Sequence, residues 1–426
     1  MLIFLIFISL VVMVCINVPI AIALAVSAVL GLLAFEGPSS VVSVALDMYD
    51  GSTKFSLIAI PMFVLAGAIM NAGGVTDRLI NFVSAIIGFV RGGLAMVNIG
   101  VSLFFAEISG SAVADVAAMG SILIPQMKKR GYSAPLSAAV TSSSASLAII
   151  IPPSIPMILY ATSANTSVEQ LFVAGIVPGL LGAFGLMSVA YAFARKYNLP
   201  VEEAFNWKTL GVTFMDALPA FTLPVIILGG IFGGFVTATE AAGLAVIAAC
   251  VVGLWYNQMN FAHLKRAMLD GGMQTAVVML LVAASVVMGG FLTRAQVPQE
   301  LAASIIEITS NKWVILLILN FLFLIIGFFL HSAAAIILVV PIVIPLITAA
   351  GIDPVHFGLV VTLNLAIGQQ TPPVASVLIT ACSVARANIW DVSKINIYFV
   401  AVLFAVLMLC TYVPSVPLFL VEYFYR

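Results

Sequence analysis

The sequence Ile-Ile-Ile-Pro-Pro-Ser occupies residues 149–154, and Gln-Gln-Thr-Pro-Pro occupies residues 369–373. A constant shift of 220 residues relates the two proline pairs, and under this shift residues 18–161 recur at 238–381. Proline interrupts a helix because it lacks an amide donor and clashes with the preceding turn. Duplicated segments broken by proline at equivalent positions indicate a secondary transporter whose binding site lies between two half-repeats.

The composition indicates an integral membrane protein. Hydrophobic residues make up 63% of the chain and charged residues only 8%, and the mean hydropathy is +1.23. The N-terminal apolar run lacks the basic region and cleavage site of a signal peptide, so it is interpreted as a retained helix. Apolar runs of about 20 residues that end at polar, Gly or Pro residues predict crossings. They are 2–16, 18–34, 55–73, 132–163, 168–194, 213–234, 238–256, 272–293, 354–385 and 395–420.

Two other apolar runs are too long for one crossing and have polar residues at their centres. They are residues 93–126, centred on Ser109-Gly110-Ser111, and residues 313–350, centred on His331-Ser332. Irregular backbone at membrane depth survives only where it is buried in protein or lines a wet cavity. Each run is therefore predicted to be a re-entrant helical hairpin with its tip at mid-membrane.

The distribution of Lys and Arg orients the chain, because cytoplasmic loops are enriched in these residues. With the N-terminus outside, only Lys54, Arg294, Lys312 and Arg426 of the 16 Lys and Arg residues fall on the outer side. Each half has about five crossings, an odd number, so the second half starts on the opposite side of the membrane from the first. The repeat is therefore predicted to be inverted, with both termini periplasmic and the bilayer as its surroundings.

The predicted fold is an all-α polytopic membrane protein of two inverted halves, each with about five crossings, a re-entrant hairpin and a broken helix. The predicted divisions are a first repeat over 1–195, a cytoplasmic connector over 196–212 and a second repeat over 213–426. Amphipathic residues 76–90 and 296–310 precede the hairpins and are interpreted as interfacial arms that carry them.

The chemistry is predicted to concentrate where each hairpin tip meets a broken helix. As one straight helix, residues 132–163 would span roughly 45 Å, which exceeds the ~30 Å hydrocarbon core. A proline pair frees upstream carbonyl groups, and nearby Ser, Thr and Asn side chains add oxygens. Such oxygen-rich sites without a carboxylate suit sodium. Half-helix N-termini at the same place offer amides to an anion.

These considerations give two predicted sodium sites with the substrate between them. The first comprises Ser109, Gly110 and Ser111 with Ser144 and Ser146, and the second comprises His331 and Ser332 with Gly368, Gln369 and Thr371. The predicted substrate contacts are Pro152, Pro153, Ser154, Arg294, His331, Pro372 and Pro373.

Structural roles are the alternatives for these residues. Small-residue clusters also mediate close helix packing, and a proline pair can merely kink a helix, but duplication of both tips and breaks favours binding. His331 is interpreted either as a neutral donor to an anionic substrate or as a hairpin-capping residue. Arg294 either attracts a carboxylate or snorkels to the interface. Glu107 and Asp115 flank the first tip, where they tune the ion site or bond the hairpin backbone.

Three motifs carry a family resemblance over essentially the whole chain. They are glycines 229, 230, 233 and 234 with Thr237-Ala238-Thr239-Glu240-Ala241, the hairpin around Gly327-Phe328-Phe329-Leu330-His331, and the break from Gly368 to Pro373. Together they resemble the large membrane subunit of tripartite ATP-independent periplasmic (TRAP) transporters. Two departures stand out. Many relatives have proline where this chain has Ala238, and relatives often carry an acidic residue at the position of His331.

The resemblance implies a sodium-coupled importer of organic acids in the bacterial inner membrane. It also implies two partners, a periplasmic binding protein that delivers substrate and a small four-helix membrane subunit, and an elevator motion of both hairpins. Sodium is the expected coupling ion, and neither a cofactor nor a nucleic-acid partner is expected. The missing acidic residue at His331 favours a sugar acid such as sialic acid over a C4-dicarboxylate.

A stand-alone symporter, an intramembrane enzyme and a channel are the alternative functions. A stand-alone sodium:anion symporter of related hairpin architecture is the nearest alternative. An intramembrane enzyme is disfavoured, because the sequence has no His-Glu-x-x-His or Gly-x-Gly-Asp motif and no Ser/His dyad at matched depth. A channel is disfavoured because hairpins on both sides suit alternating access rather than a continuous pore.

Overall fold

The computed structural model describes residues 2–16, 18–202, 204–372 and 374–425, and within these ranges every regular element is helical. Pro373 therefore lies outside the described residues, as do the side chains of Glu107 and Ser109. Among the described residues, nine helices are long and apolar enough to cross a membrane, counted by length and composition alone. The all-helical prediction is confirmed.

The first half begins with helices that surround the hairpin and the broken helix. Its elements are α1 (Leu2–Cys15), α2 (Ile20–Glu36), α3 (Val41–Ser52), α4 (Ala59–Ala72), α5 (Val75–Ile87), α6 (Gly93–Ser109), α7 (Ala112–Lys129), α8 (Ala134–Ala145), α9 (Leu147–Ile150), α10 (Ile155–Ala164) and α11 (Val168–Lys196). Helices α6 and α7 form the first hairpin, and α8 to α10 form the first broken helix.

The second half repeats this order. Its elements are α12 (Trp207–Pro224), α13 (Gly230–Phe232), α14 (Ala238–Trp255), α15 (Phe261–Arg294), α16 (Val297–Ile308), α17 (Lys312–Phe329), α18 (Ser332–Ala349), α19 (Pro354–Gly368), α20 (Ser376–Ala385), α21 (Ile389–Tyr412) and α22 (Ser415–Tyr425). A π-helical turn, Val225–Gly229, joins α12 to α13. Helices α17 and α18 form the second hairpin, and α19 and α20 form the second broken helix.

Each hairpin packs against the broken helix of the other half. Helix α7 packs on α20, and α18 packs on α10. The shift of 220 residues relates α7 to α18 and α10 to α20, so these two contacts are equivalent. At one of them the Lys128 ammonium donates to the Ala385 carbonyl at 3.1 Å. This exchanged packing puts the two hairpins and the two broken helices into one central unit.

Burial separates the centre of the molecule from its edge. In the most apolar window of Ala134–Ala164, 94% of the residues are buried, whereas the corresponding share is 28% for Trp207–Phe232. The first broken helix is therefore a core element, although it is long and apolar enough to cross a membrane. Helices α4 and α14 pack closely on each other, and α15 packs against α2, α3 and α4.

Three elements differ from the predicted crossings. Helix α3 lies between two predicted crossings, and its 12 residues are too few to span a bilayer. The predicted crossing at 395–420 is interrupted between α21 and α22, where Pro414 cannot continue the hydrogen-bond ladder. The predicted crossing at 272–293 lies in the longer α15, which begins at Phe261 because the Asn260 side chain caps it by accepting from the His263 amide at 2.8 Å.

Candidate functional site

A cavity of about 580 Å³ lies at the meeting point of the two hairpin tips. Gly110 and Ser111 line it from the first tip, His331 and Ser332 line it from the second, and Gln369 lines it from the second broken helix. These five residues come from both predicted sodium sites. The structure therefore brings part of each predicted site to one common cavity.

The wall opposite the tips is apolar apart from one amide side chain. Val64 of α4 and Met273, Gln274, Val277 and Val278 of α15 line this side. The sequence prediction missed Gln274, although a lone glutamine within an apolar crossing is a recognisable signal. The cavity thus lies between the central unit of hairpins and broken helices and the surrounding helices α4 and α15.

Four of the described helices begin at this cavity. Ser111 and His331 occupy the N-cap positions of α7 and α18 in extended backbone, Ile155 is the first residue of α10, and Ser376 is the first residue of α20. The first turn of a helix has amide groups without intrahelical partners and carries the positive end of the helix dipole. Four such ends around one cavity favour a bound anion.

The first tip is held against the first break, which comprises residues 151–154. Helix α6 ends at Ser109, and Gly110 follows in the left-handed conformation at φ 59°. A Cβ atom on Gly110 would lie 3.0 Å from the Pro153 carbonyl oxygen. Glycine allows both the backbone conformation and this close approach. The first tip therefore meets the first break at Pro153.

The hydroxyl at the end of the first break is engaged with nearby backbone. Ser154 donates to the Ile149 carbonyl at 2.7 Å and accepts from the Met157 amide at 3.5 Å. It therefore caps α10 and satisfies a carbonyl that the break exposes. Pro152 and Pro153 are buried beside it. These three residues shape the first break, while the neighbouring Ile149, Ile155 and Pro156 line the cavity.

The second tip is held against the second break by backbone contacts. The Val374 amide donates to the Phe328 carbonyl at 3.3 Å. Gln369 joins the two ends of the break, because its amide oxygen accepts from the Ser376 hydroxyl at 3.2 Å. Thr371 donates to the Ile367 carbonyl at 3.1 Å and is half-buried, as is Pro372.

Ser144 lies away from the first tip. Its hydroxyl accepts from Ser102 at 2.9 Å and donates to the Asn98 amide oxygen at 3.1 Å. Ser102 and Gly110 are eight residues apart in the sequence, about 12 Å along a helix. The structure therefore groups Ser144 with α6 rather than with Gly110 and Ser111.

The second half has a polar cluster in the equivalent place. Asn364 matches Ser144 under the shift of 220 residues, and its amide nitrogen donates to the Asn320 side-chain oxygen at 2.7 Å. Asn320 in turn donates to the Thr411 hydroxyl at 3.1 Å. Each hairpin is thus tied to the broken helix of its own half by buried polar side chains. The sequence prediction missed Asn98 and Asn320, whose signal is a lone asparagine in an apolar hairpin helix.

Ser146 lies at the contact between the two broken helices. Its hydroxyl is 3.5 Å from the Ala366 carbonyl oxygen and accepts a hydrogen bond from Gln370. Gly368 lies against the hairpin helix α17. Both residues are buried near the second break, but neither is exposed to the cavity. Ser146 therefore belongs to the interface between the halves.

Arg294 lies outside the cavity. Its guanidinium group contacts Glu36 at 3.1 Å, Asp47 at 3.3 Å and the Ser43 hydroxyl at 3.2 Å. Two carboxylates of the surrounding helices α2 and α3 thus balance its charge. The structure does not bring Arg294 together with the hairpin tips.

A smaller cavity of about 250 Å³ separates the surrounding helices from the central unit. At its edge the Lys54 ammonium donates to the Thr162 carbonyl at 3.3 Å, and the Ser56 and Thr162 hydroxyl oxygens are 3.1 Å apart. Residues 54 and 56 precede α4, whereas Thr162 lies in α10. These contacts connect the surrounding helices to the first broken helix.

The family model described as "Tripartite ATP-independent periplasmic transporter, DctM component" matches residues 7–416. The chain belongs to this family. This DctM-family chain is therefore a multi-pass membrane subunit of a transporter and not an enzyme, and the family resemblance read from the sequence is confirmed.

Relatives of this DctM-family chain are named for different substrates. It is 39% identical over 406 residues to the isethionate TRAP transporter permease protein DctMQ of Oleidesulfovibrio alaskensis, covering 95% of this chain and 64% of that longer protein. It is 38% identical to the C4-dicarboxylate large permease protein DctM of Pseudomonas aeruginosa, covering 93% of both chains. It is 37% identical to the sialic acid large permease protein SiaM of Vibrio cholerae, covering 89% of both.

The fold of the DctM-family chain is similar to a solved structure. The YdaH transporter of Alcanivorax borkumensis matches with a TM-score of 0.65 at 15% identity, covering 89% of each chain. This likeness concerns the fold alone. Together with the exchanged packing of hairpins and broken helices, it confirms the predicted fold class.

Proposed function

We propose that the chain is the large permease of a sodium-coupled importer of organic acid anions in the bacterial inner membrane. The observation that carries this proposal is the cavity shared by Gly110 and Ser111 of one tip and His331 and Ser332 of the other. Inverted-repeat transporters bind substrate and coupling ion where broken helices meet at the repeat interface. Both termini are proposed to be periplasmic.

The sodium ions are proposed to bind where each tip meets its break. At the first, Gly110 and Ser111 lie beside the Pro153 carbonyl oxygen. At the second, Ser332 and Gln369 line the cavity, and Gln369 follows Gly368 at the end of α19. Neutral oxygens of this kind suit a monovalent hard cation, because a single charge requires little compensation.

The substrate is proposed to be an organic acid anion in the shared cavity. The helix N-termini at Ser111, His331 and Ser376 supply partial positive charge, and His331 adds a ring that can donate a hydrogen bond. A volume of about 580 Å³ falls within the ~300–1,000 Å³ range of small-molecule sites. A sugar acid such as sialic acid is the first candidate, and a C4-dicarboxylate and isethionate are the others.

Two partners are proposed for the working transporter, a periplasmic binding protein and a small four-helix membrane subunit. Membership of the tripartite family supports both. The central unit, with both hairpins and both broken helices, is proposed to move as one body against the surrounding helices, in an elevator motion. The exchanged packing of α7 on α20 and α18 on α10 supports motion of these elements together.

Uptake into proteoliposomes tests the proposal. The chain is reconstituted alone, with the four-helix subunit, and with both the subunit and the binding protein, and each labelled acid is supplied with and without an inward sodium gradient. We expect uptake only with both partners and only with sodium. Uptake without sodium would contradict the coupling. Equal sodium-driven uptake by the chain alone would favour the stand-alone symporter.

A further inference from the structure

Gln370 lies at the crossing point of the two broken helices. It belongs to the second break, but its side chain bonds to the first broken helix. The amide oxygen accepts from the Ser142 hydroxyl, and the amide nitrogen donates to the Ser142 carbonyl at 2.6 Å and to the Ser146 hydroxyl. The three side chains are at most 1% exposed. Water therefore does not compete for these bonds.

A third element holds Gln370 from the other side. Asn396 of α21 donates its amide nitrogen to the Gln370 carbonyl at 3.1 Å and lies 3.4 Å from the Gln370 side-chain oxygen. A glutamine side chain has two donors and an oxygen that accepts twice. Both donors and the oxygen of Gln370 are thus engaged. Its conformation is fixed by partners from both halves of the molecule.

The two serine partners of Gln370 lie on one side of the first broken helix. Ser142 is in α8 and Ser146 is the C-cap residue of α8, four positions later, so their side chains lie one above the other. Ser143, between them, donates only to the Ala139 and Val140 carbonyls of its own helix. The residue before it, Gln369, lines the cavity instead. Among the described residues of the second break, Gln370 is the one whose side chain bonds to the first half, whereas Gln369 and Thr371 bond within their own half.

The link joins the two proposed ion sites mechanically. Ser146 is five residues before Ile151, where the first break begins, and the Pro153 carbonyl of that break contacts the first tip. Gln370 itself lies between Gln369 and Thr371 in the second break. Separating Gln370 from Ser142 and Ser146 would leave buried amide and hydroxyl groups without partners, which is costly in a low-dielectric interior. A displacement of one break is therefore transmitted to the other.

We propose that Gln370 is a positioning residue that couples the two cation sites across the repeat interface. This inference rests on the proposed function, in which sodium binds at both breaks. A sodium ion at one break fixes the geometry of that break, and Gln370 passes this constraint to the other. Binding at either site then raises the affinity of its partner, since such coupling is reciprocal.

The sodium dependence of uptake by the reconstituted three-component transporter tests the coupling. The substitution Gln370→Met keeps the length and packing of the side chain but removes its hydrogen bonds. We expect wild-type uptake to depend sigmoidally on sodium, with a Hill coefficient above 1. In Gln370→Met the coefficient should fall below the wild-type value, and the half-saturating sodium concentration should rise about tenfold. Ser143→Ala, a buried serine on the same helix, serves as the matched control and should leave both quantities unchanged.

Two further variants keep the test decisive if Gln370→Met does not fold. Ser142→Ala and Ser146→Ala each remove one partner and should lower the Hill coefficient in the same direction. In the Gln370→Met background their effects should largely vanish, because the bonds are already lost.

An unchanged coefficient in Gln370→Met, or in both serine variants if it does not fold, would overturn the inference. So would a wild-type coefficient of 1. Wild-type uptake that ignores sodium would overturn the proposed function, and the inference with it.

Discussion

Gly327 and Gly368 pack backbone to backbone at the junction between the second hairpin and the second broken helix. A Cβ atom on Gly368 would lie 2.5 Å from the Gly327 Cα atom, and one on Gly327 would lie 3.0 Å from the Gly368 Cα atom. Only residues without side chains fit this contact. It brings α17 and α19 close enough for the tip to meet the break.

Alanine at Gly368 should therefore weaken both folding and transport. Overpacking a close contact costs about 1–3 kcal/mol, and the helices must separate at the point that positions the second site. We expect a lower unfolding temperature of the purified protein and reduced uptake. Gly272→Ala is the control, because a Cβ atom there meets nothing within 4 Å. Equal behaviour of the two variants would contradict this role for the contact.

Arg294 is expected to stabilise the surrounding helices rather than to bind substrate. Replacement by Ala leaves Glu36 and Asp47 without their cation, so the unfolding temperature should fall. The substrate concentration for half-maximal uptake should stay within about twofold of the wild type. Arg266→Ala is the control, because Arg266 is 85% exposed and its pair with Asp270 is long at 3.9 Å. A large rise in the substrate concentration for half-maximal uptake by Arg294→Ala would show that Arg294 is a substrate ligand.

Ser144→Ala should affect stability without changing the sodium requirement. The hydroxyl bonds to Asn98 and Ser102, and loss of one partner of a buried hydrogen bond costs about 1–3 kcal/mol. Thermal unfolding and the sodium dependence of uptake are measured on the same preparation. A raised sodium requirement with unaltered stability would return Ser144 to the first ion site.

The elevator motion can be tested at the contact between Ser56 and Thr162. Cysteines at these positions, in a background without Cys15, Cys250, Cys382 and Cys410, should form a crosslink because the native oxygen atoms are 3.1 Å apart. The crosslink should abolish uptake, and reduction should restore it. Cysteines at Ser9 and Ser27 give the control. Their native oxygen atoms are 3.2 Å apart, and the two residues lie in α1 and α2 among the surrounding helices. Full uptake by the Ser56–Thr162 crosslinked protein would exclude motion at this contact.

The sequence predicted the tips and breaks because their signals are local. Gly110 and His331 interrupt apolar runs, and the paired prolines mark the breaks at matched positions. The hydrogen-bond and ion-pair partners of the side chains, in contrast, lie far away in the sequence. Arg294 meets carboxylates 258 and 247 residues away, and Gln370 turns to the other half while Gln369 turns to the cavity. That difference depends on the irregular backbone of the break, which no helical periodicity describes.

The shared, sodium-coupled cavity is tested most directly by one series of uptake measurements on variants from both halves. Ser111→Ala removes a hydroxyl at the first tip, and Thr371→Ala removes one at the second break. Each is measured in the three-component transporter over a range of sodium concentrations, with Ser143→Ala as the control. Loss of one ligand worth about 1.4 kcal/mol raises the half-saturating concentration about tenfold. We expect such a rise for both variants and no rise for the control. An unchanged sodium dependence in both would contradict this expectation.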